Sequence, residues 1–319
     1  MKRVYENKIG DCQLLIAEAG ETYTGIIRKK GQEHYRQSHE DLDRLVAILN
    51  NEAGKLHPNY IGIDGAIKRF KEFFPLGFDD PYYKIKERDY KDKQKEVLDL
   101  IIHGIETPKT KAERITEITE LLGPNVATKA LLNEFEKQTK SFDEMETDLS
   151  ITSAAAASKI TINLLSKFEN ARLHEMLSYG ANAEGSDYLL ACKKISETNP
   201  KNRKELEKKL KEAAKAIKPF GAVTWPLVTI LPYFWNPAQH MFLKPLATKD
   251  YADRVGHGFT QNYDSSTNLD TYLSLLDLAD WTEKKISSLK PKDRIDVQSF
   301  IWVVGNYKDV DLEDAKKFR

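Results

Sequence analysis

The sequence predicts a mainly α-helical protein in which a small N-terminal antiparallel β-sheet is followed by a helical body of two lobes. Three observations support this class. Alternation of apolar and polar residues is confined to the N-terminal region, around residues 23–27. Apolar residues with helical spacing recur from residue 42 onward. Capping residues, glycines and prolines separate the helical segments, as they do between packed helices.

Composition sets the outer limits of the prediction. A chain of 319 residues with 40% hydrophobic content buries a sizeable core, in one large domain or two closely packed ones. Its 49 basic and 49 acidic residues balance, so any surface for a polyanion must be local. Cys12 and Cys192 are too few for a disulfide framework or a cysteine-rich zinc site, and we expect both to be reduced and buried.

No targeting or membrane-spanning segment is evident. No apolar stretch reaches about 20 residues without charge or proline, and the N-terminus has no apolar signal region. We therefore expect a cytoplasmic protein with no membrane partner. The sequence does not specify an oligomeric state.

The first part of the chain is predicted as follows. Residues 11–32 form two or three short strands, broken at Gly20 and Gly31. Ser38 caps a first helix, whose apolar positions keep helical spacing and which Gly54 follows. Further helices lie between Pro108 and Gly123 and over residues 124–138.

The acidic and alanine-rich segment 141–159 is the best candidate for a lobe boundary. It divides the chain into residues 1–145, with the strands and one helical lobe, and residues 146–319, with the second lobe. Within the second lobe, Thr248 is predicted to cap a helix that Gly256 ends. Asp293 is predicted to cap a later helix.

The most cationic helix is predicted over residues 201–218, between Pro200 and Pro219. This segment contains eight basic and three acidic side chains. If the protein binds DNA, this helix is the best candidate to contact the phosphate backbone. The lysines selected for that role are Lys204, Lys208 and Lys211.

The central segment, residues 224–245, is largely apolar and contains four prolines. Each proline removes an amide donor and disfavours helix in the residue before it, so we expect the chain to fold in short pieces. His240 and Lys244 have the i, i+4 spacing of one helix face. The segment therefore predicts a pocket with a polar floor.

Four residues are candidates for catalysis, each with a structural alternative. Lys244 is a nucleophile if desolvation lowers its pKa, or it extends its ammonium into water. His240 is a general base or a packed histidine. Asp296 is a catalytic carboxylate or closes a capping box with Asp293. Glu169 serves acid–base chemistry or pairs with a neighbouring cation.

Aromatic residues of the central segment supply faces on which a nucleobase stacks, at about 1–3 kcal/mol per base, or they form core. The residues selected for substrate binding are Trp225, Tyr233, Phe234, Trp235, Gln298 and Tyr82. No HxxxH or HxH pair occurs, and neither GxGxxG nor GxxxxGK[ST] is present. We therefore expect no metal and no cofactor.

Four blocks resemble a bacterial protein family without an assigned reaction. They are FPLGFDDPYY with ERDYK, NLLSKFENARL, TWPLVTILPYFWNPAQHMFLKP and PKDRIDVQSFIWV, within residues 60–91, 160–177 and 224–304. This resemblance implies a shared fold and no catalytic roles.

A second resemblance is architectural. A small N-terminal sheet followed by a two-lobed helical body is similar to the helix-hairpin-helix DNA glycosylases, whose cleft receives a flipped base. The resemblance implies an Asp near a helix N-terminus and, in bifunctional members, a Lys nucleophile, for which Asp296 and Lys244 are the candidates. The segment LLGPNVATKALL, residues 121–132, departs from the Leu-Pro-Gly-Val-Gly hairpin of that superfamily.

The functional hypothesis is a metal-independent DNA N-glycosylase that cleaves the bond to a natural or modified base, in genome repair or phage defence. Asp296 would stabilise the oxocarbenium-like sugar or orient water, and Lys244 would stabilise charge or attack. The alternative is a non-catalytic module that binds a ligand or partner in a bacterial defence or regulatory system. The glycosylase requires Lys244 or Asp296 in a cleft beside a basic surface, whereas the binding module requires neither.

Overall fold

The structure, a computed structural model, describes residues 2–9, 11–106, 164–178 and 183–319. It confirms the predicted class, because a small antiparallel sheet precedes a body built of helices. The helices predicted between residues 108 and 138 lie outside the described residues, and so does the predicted lobe boundary.

The sheet is a four-stranded antiparallel meander in the order β1-β2-β3-β4. Its strands are β1 (Lys2–Ile9), β2 (Cys12–Ala19), β3 (Thr22–Lys29) and β4 (Gln32–His39). Gly20 and Gly31 occupy the turns with φ of 69° and 81°, which favours glycine there. The prediction of two or three strands was too low because the two edge strands are mostly exposed and carry many polar residues.

Helix α1 (Leu42–Lys55) covers the inner face of the sheet. Its Leu45 and Leu49 form a small separate core with strand residues that include Leu14 and Ile27. Asp41, rather than Ser38, caps the helix, because Ser38 pairs with Thr24 in the sheet. Gly54 lies within the last turn instead of following the helix.

The helical body begins with α2 (Gly62–Phe73), α3 (Pro81–Tyr83), a π-helical turn (Lys84–Arg88) and α4 (Asp89–Glu106). The amide of Asp89 donates to the carbonyl of Lys84, five residues earlier, which defines the π turn. Such a turn inserts one residue into the helical repeat and changes the direction in which the following side chains point.

The body continues with nine helices in the described remainder of the chain. They are α5 (Lys167–Ser178), α6 (Ala183–Glu197), α7 (Arg203–Ile217), α8 (Trp225–Trp235), α9 (Pro245–Val255), α10 (Phe259–Asn262), α11 (Leu269–Lys285), α12 (Arg294–Asn306) and α13 (Asp309–Phe318). Asp293 caps α12 as predicted, and its carboxylate accepts from the Ile295 amide. Gly256 ends α9 as predicted, in a left-handed conformation. Thr248 lies inside α9, which starts at Pro245 because proline suits the first helical turn.

One hydrophobic core contains residues of α2, of α3 and of every described helix from α5 to α13. Phe70 of α2 packs on Phe300 of α12 with ring centroids 5.1 Å apart. The described parts of both predicted lobes thus share a core, while the sheet and α1 form a smaller second one. No helix in the described ranges is long and apolar enough to cross a lipid bilayer.

The two cores meet where the last turn of α1 touches the end of α9. A Cβ atom on Gly54 would lie 2.7 Å from the Gly256 Cα, closer than real Cβ contacts. The amide of Ile61 donates to the carbonyl of Arg254 at 2.8 Å beside this contact. Two backbones therefore meet directly at the junction.

Gly54→Ala tests this contact. Alanine in place of a helical glycine normally stabilises by about 1 kcal/mol, whereas overpacking costs about 1–3 kcal/mol. Because the clashing atoms belong to backbone, we expect the cost to exceed the gain, with a net loss of up to about 2 kcal/mol in the free energy of unfolding, measured in urea. Gly258→Ala is the control, since its Cβ would have ordinary contacts at 3.8 Å and beyond. A stabilised Gly54→Ala protein would contradict the contact.

Candidate functional site

The four predicted catalytic residues occupy three different environments. Asp296 belongs to a buried ionic network, and His240 belongs to the core. Lys244 and Glu169 lie in a third, partly buried region, where Lys244 Nζ donates to the Leu164 carbonyl, five residues before Glu169. These two are near each other without a hydrogen bond or ion pair between their side chains in the described structure.

Asp296 is 3% exposed, and internal donors occupy both of its carboxylate oxygens. Oδ1 accepts from the Tyr83 hydroxyl at 2.6 Å and from Arg88 Nη1 at 3.0 Å. Oδ2 accepts from the Lys292 amide at 2.7 Å. Arg88 also forms a two-pronged pair with Asp293, at 2.8 and 2.9 Å. This network ties the π turn to the first turn of α12.

A second set of buried polar contacts lies beside the first. Lys91 is 1% exposed, and its Nζ donates to Glu87 and to Ser299, each at 2.7 Å. The Tyr307 hydroxyl donates to the other Glu87 oxygen. Burial and the adjacent Glu87 carboxylate raise the pKa of Tyr307, so its hydroxyl stays protonated and remains a donor.

Sequence reasoning did not single out Glu87, Arg88 or Lys91. A signal was present, because Glu87 and Lys91 have the i, i+4 spacing of a helical ion pair. Their surroundings, KIKERDYKDK, suggest an exposed charged helix. Only the packing of this helix against α12 buries them, so the sequence alone did not indicate a core network.

Gln298 is 3% exposed and lies next to Ser299 in this region. Its Oε1 is buried without a hydrogen-bond partner, as is the hydroxyl of Tyr233. Burial, together with the charge of Asp293, raises the pKa of Tyr233. In the described conformation Gln298 faces protein and not solvent.

His240 is fully buried, and its Nδ1 lies 2.9 Å from the Tyr272 hydroxyl. Burial lowers its pKa to about 4, although the nearby backbone of Thr198 and Ser196 acts in the opposite direction. The ring is therefore neutral at pH 7. His240 and Lys244 lie in the irregular stretch 236–244 between α8 and α9, so they do not share a helix face as their spacing predicted.

The central aromatic residues pack inward. Trp225, Tyr233 and Phe234 are at most 1% exposed, and the Trp225 indole donates to the Asp264 carbonyl. Trp235 is partly buried at the end of α8. Tyr82 is 8% exposed and packs on Phe318. In this conformation none of the three most buried residues presents a ring face to solvent.

Lys244 is half-buried at the start of α9. Its Nζ donates to the Leu164 carbonyl at 2.6 Å and lies 4.9 Å from the centroid of the Trp302 ring. Burial lowers the pKa of Lys244, and the charge of Glu169 partly opposes that shift. The Lys244 amine is therefore partly buried, and no carboxylate of the described residues forms an ion pair with it within 4 Å.

Glu169 lies in the first turn of α5. Its Oε2 accepts from the Ser166 amide at 2.8 Å, while its own amide donates to the Ser166 hydroxyl, which forms a capping box. Its Oε1 is 3.5 Å from the Thr224 hydroxyl. The neighbouring Phe168 is 85% exposed.

The selected lysines of α7 are exposed. The opposite side of this helix is buried and contains Leu206, Leu210, Ala213 and Ile217. Lys211 pairs with Glu207 at 2.6 Å, and both side chains are solvent-accessible. Such surface pairs contribute about 0–1 kcal/mol, so an anion competes readily with Glu207 for Lys211. Lys204 and Lys208 are exposed in the same way.

Within the described part of the chain, no group of three or more His, Cys, Asp or Glu residues is placed to hold a metal ion. Cys12 and Cys192 are free and buried, as expected. Comparisons of the chain with protein-family models, with curated proteins and with solved structures found no match. The functional class must therefore be argued from the geometry.

Arg88→Met tests the ionic network. Loss of the guanidinium leaves the buried Asp296 and the partly buried Asp293 without their cation, which costs about 3–5 kcal/mol of unfolding free energy. Lys95→Ala is the control, because Lys95 pairs with Asp99 at an accessible position of α4. That change should cost less than about 1 kcal/mol. Equal losses in the two variants, measured by urea denaturation, would contradict a dominant role for Arg88.

His240 predicts a pH dependence of stability. Its pKa is lower in the folded protein than in the unfolded chain, so the unfolded chain binds more protons between about pH 4 and 6.5. Stability is therefore complete above pH 6.5 and falls as the pH drops toward 4. We expect wild type to lose roughly 2 kcal/mol more than His240→Phe between pH 7 and pH 5. Parallel losses in the two proteins would show that His240 is not the titrating group.

Proposed function

We propose that the protein is a DNA glycosylase in which the Lys244 amine attacks the sugar. The observation that carries the proposal is the half-buried Lys244, whose pKa burial lowers and which lies near the Glu169 carboxylate. A lysine becomes a nucleophile when desolvation makes its neutral form accessible near neutral pH. Burial moves the pKa of Lys244 in this direction, and the charge of the Glu169 carboxylate acts on the amine.

The position of the amine suits covalent chemistry. The Leu164 carbonyl and the Trp302 ring restrict where Nζ lies, so little ordering remains to be done when substrate binds. The ring face also stabilises the ammonium form before the proton is lost. Because Glu169 is near enough to influence the pKa of Lys244, its carboxylate is the candidate to accept that proton.

The Lys244 ammonium first gives a proton to Glu169. The neutral amine then forms a bond to C1′ of the deoxyribose as the C1′–N bond breaks, and the base leaves with the electron pair of that bond and takes the proton from Glu169. The Glu169 carboxylate next accepts a proton from the nitrogen now bonded to C1′ and passes it to O4′ as the C1′–O4′ bond opens, which leaves a protonated imine between Lys244 and the sugar.

The lysines of α7 support DNA as the polymer. Lys204, Lys208 and Lys211 lie at i, i+4 and i+7 on the exposed side of the helix, with a separation along the axis of about 4.5–6 Å. A row of exposed cations at this spacing contacts successive phosphates without reading sequence.

This proposal changes the roles expected from sequence. Asp296 and His240 are assigned to the fold, because internal donors occupy Asp296 and burial keeps His240 neutral. Glu169 takes the carboxylate role instead. The burial of the central aromatic residues favours the second candidate, a non-catalytic binding module, since it leaves no open stacking platform in this conformation.

Lys244→Ala separates the two candidates. With borohydride present, we expect wild type to become covalently attached to duplex DNA that contains natural, modified or abasic nucleotides. The yield should rise with pH through a pKa below that of an ordinary lysine, because only the neutral amine attacks. Lys244→Ala should lose the adduct and keep its thermal midpoint, since the removed ammonium was poorly solvated.

Lys249→Ala is the matched control. Its Nζ lies 4.8 Å from the Tyr263 ring centroid, much as Lys244 lies over Trp302, so a general effect of losing such a lysine would appear in both variants. Adduct formation by Lys244→Ala would remove Lys244 from the chemistry. If wild type forms no adduct and releases no base from any of these substrates, the binding module is the correct class.

A further inference from the structure

A cavity of about 180 Å³ lies at the junction between the sheet and the helical body. The sheet contributes one wall, the end of α1 and the following turn contribute a second, and the segment from α9 to α10 contributes a third. Neither Lys244 nor the ionic network lines it. Lys244 precedes the first residue of α9, whereas Asp253 of the cavity lies near the last, about 14 Å away along the helix axis.

The floor of the cavity is apolar. Ile9, Cys12 and Ala53 line it, and each is at most 7% exposed. Cavities of about 150 Å³ with apolar walls accept a single aromatic ring. The dimensions here therefore suit one planar ring.

The rim of the cavity is polar and carries both hydrogen-bond acceptors and hydrogen-bond donors. Burial raises the pKa of Asp253, which indicates a carboxylate with little water around it. His57 Nδ1 accepts from the Asn59 amide, so the neutral ring carries its proton on Nε2, 3.9 Å from the Asp253 carboxylate. Lys29 Nζ donates to the Leu56 carbonyl at 2.6 Å and has further N–H donors.

Backbone contacts hold the walls of the cavity apart. The backbone contact between Gly54 and Gly256 sets the separation of α1 from the end of α9, and Gly54 itself lines the cavity. The hydrogen bond from the Ile61 amide to the Arg254 carbonyl fixes the same two segments. A preformed space with an apolar floor and a few polar groups is the usual form of a small-molecule site.

We propose that this cavity binds an uncharged, single-ring nitrogen heterocycle with an amide edge, for which a pyrimidine base is the match in size. A ring N–H or amino group donates to Asp253, and a ring carbonyl accepts from Lys29. Two lining carboxylates, Asp11 and Asp253, face one lysine, which disfavours an anion. The apolar floor disfavours a strongly hydrated cation.

This site is independent of the proposed glycosylase chemistry, because it shares no residue with the Lys244 region. Sequence reasoning missed it for a simple reason. Lys29, His57 and Asp253 belong to a strand, a turn and a helix that are distant in the chain, and no motif connects them. Only the junction of the two cores brings them to one cavity.

Calorimetric titration of the full chain with cytosine and with uracil tests the proposal. We expect saturable binding of one molecule per chain, and at least ten-fold weaker binding of phenol and of benzoate, which lack the amide edge. Deoxycytidine distinguishes the source of the ligand: equal affinity indicates that the site admits a base attached to its sugar, and loss of binding indicates a free base.

Three variants place the ligand. Asp253→Asn keeps the size of the side chain and should weaken binding at least ten-fold, while Ala53→Leu fills the cavity and should abolish binding. Asp277→Asn is the control, because Asp277 contacts His257 of the lining through a side chain that is 75% exposed and outside the cavity. Circular dichroism verifies folding, and if Ala53→Leu does not fold, Asp253→Asn decides. Absence of binding by both bases, or unchanged affinity in Asp253→Asn, would overturn the proposal.

Discussion

The contact between Arg88 and the first turn of α12 is the constraint on which the helical body depends. Transferring these charges from water is costly, and the loss is offset only because Asp293 and Asp296 receive several hydrogen bonds each. Although burial acts against its charged form, hydrogen bonds to Asp293 and Asp92 keep the pKa of Arg88 above its ordinary value. A geometry this specific admits one arrangement of the π turn against α12.

The position of α12 in turn sets the position of both candidate sites. Trp302 of α12 lies under the Lys244 amine. Gly305 of the same helix meets the Ala247 carbonyl of α9 so closely that a Cβ atom would lie 2.5 Å away. Helix α9 carries Lys244 before its first turn and Asp253 near its last. The ionic network therefore orients, through two helices, the residues of both the amine site and the junction cavity.

Local patterns predicted those features that depend on neighbouring residues. The Asp293 cap, the Gly256 stop and the helix α7 between Pro200 and Pro219 follow from hydrogen bonds and from proline chemistry within a few residues of chain. The helix starts at Ser38 and Thr248 were placed wrongly, because strand pairing claims Ser38 and proline starts α9 earlier. In the first case the cause is tertiary, since strand pairing uses Ser38, and in the second it is local, since Pro245 suits the first helical turn.

The sequence by itself determined the class of the fold, the sparse cysteine content and the apolar character of residues 224–245, since these follow from composition and periodicity. Only the tertiary structure decided the environment of the titratable side chains. Whether a carboxylate, an imidazole or an amine is paired, desolvated or exposed depends on residues hundreds of positions away, as Asp296 depends on Arg88. For that reason Asp296 and Lys244, equal candidates in the sequence, differ in the folded chain: one is saturated by hydrogen bonds, and the other keeps a partly buried amine.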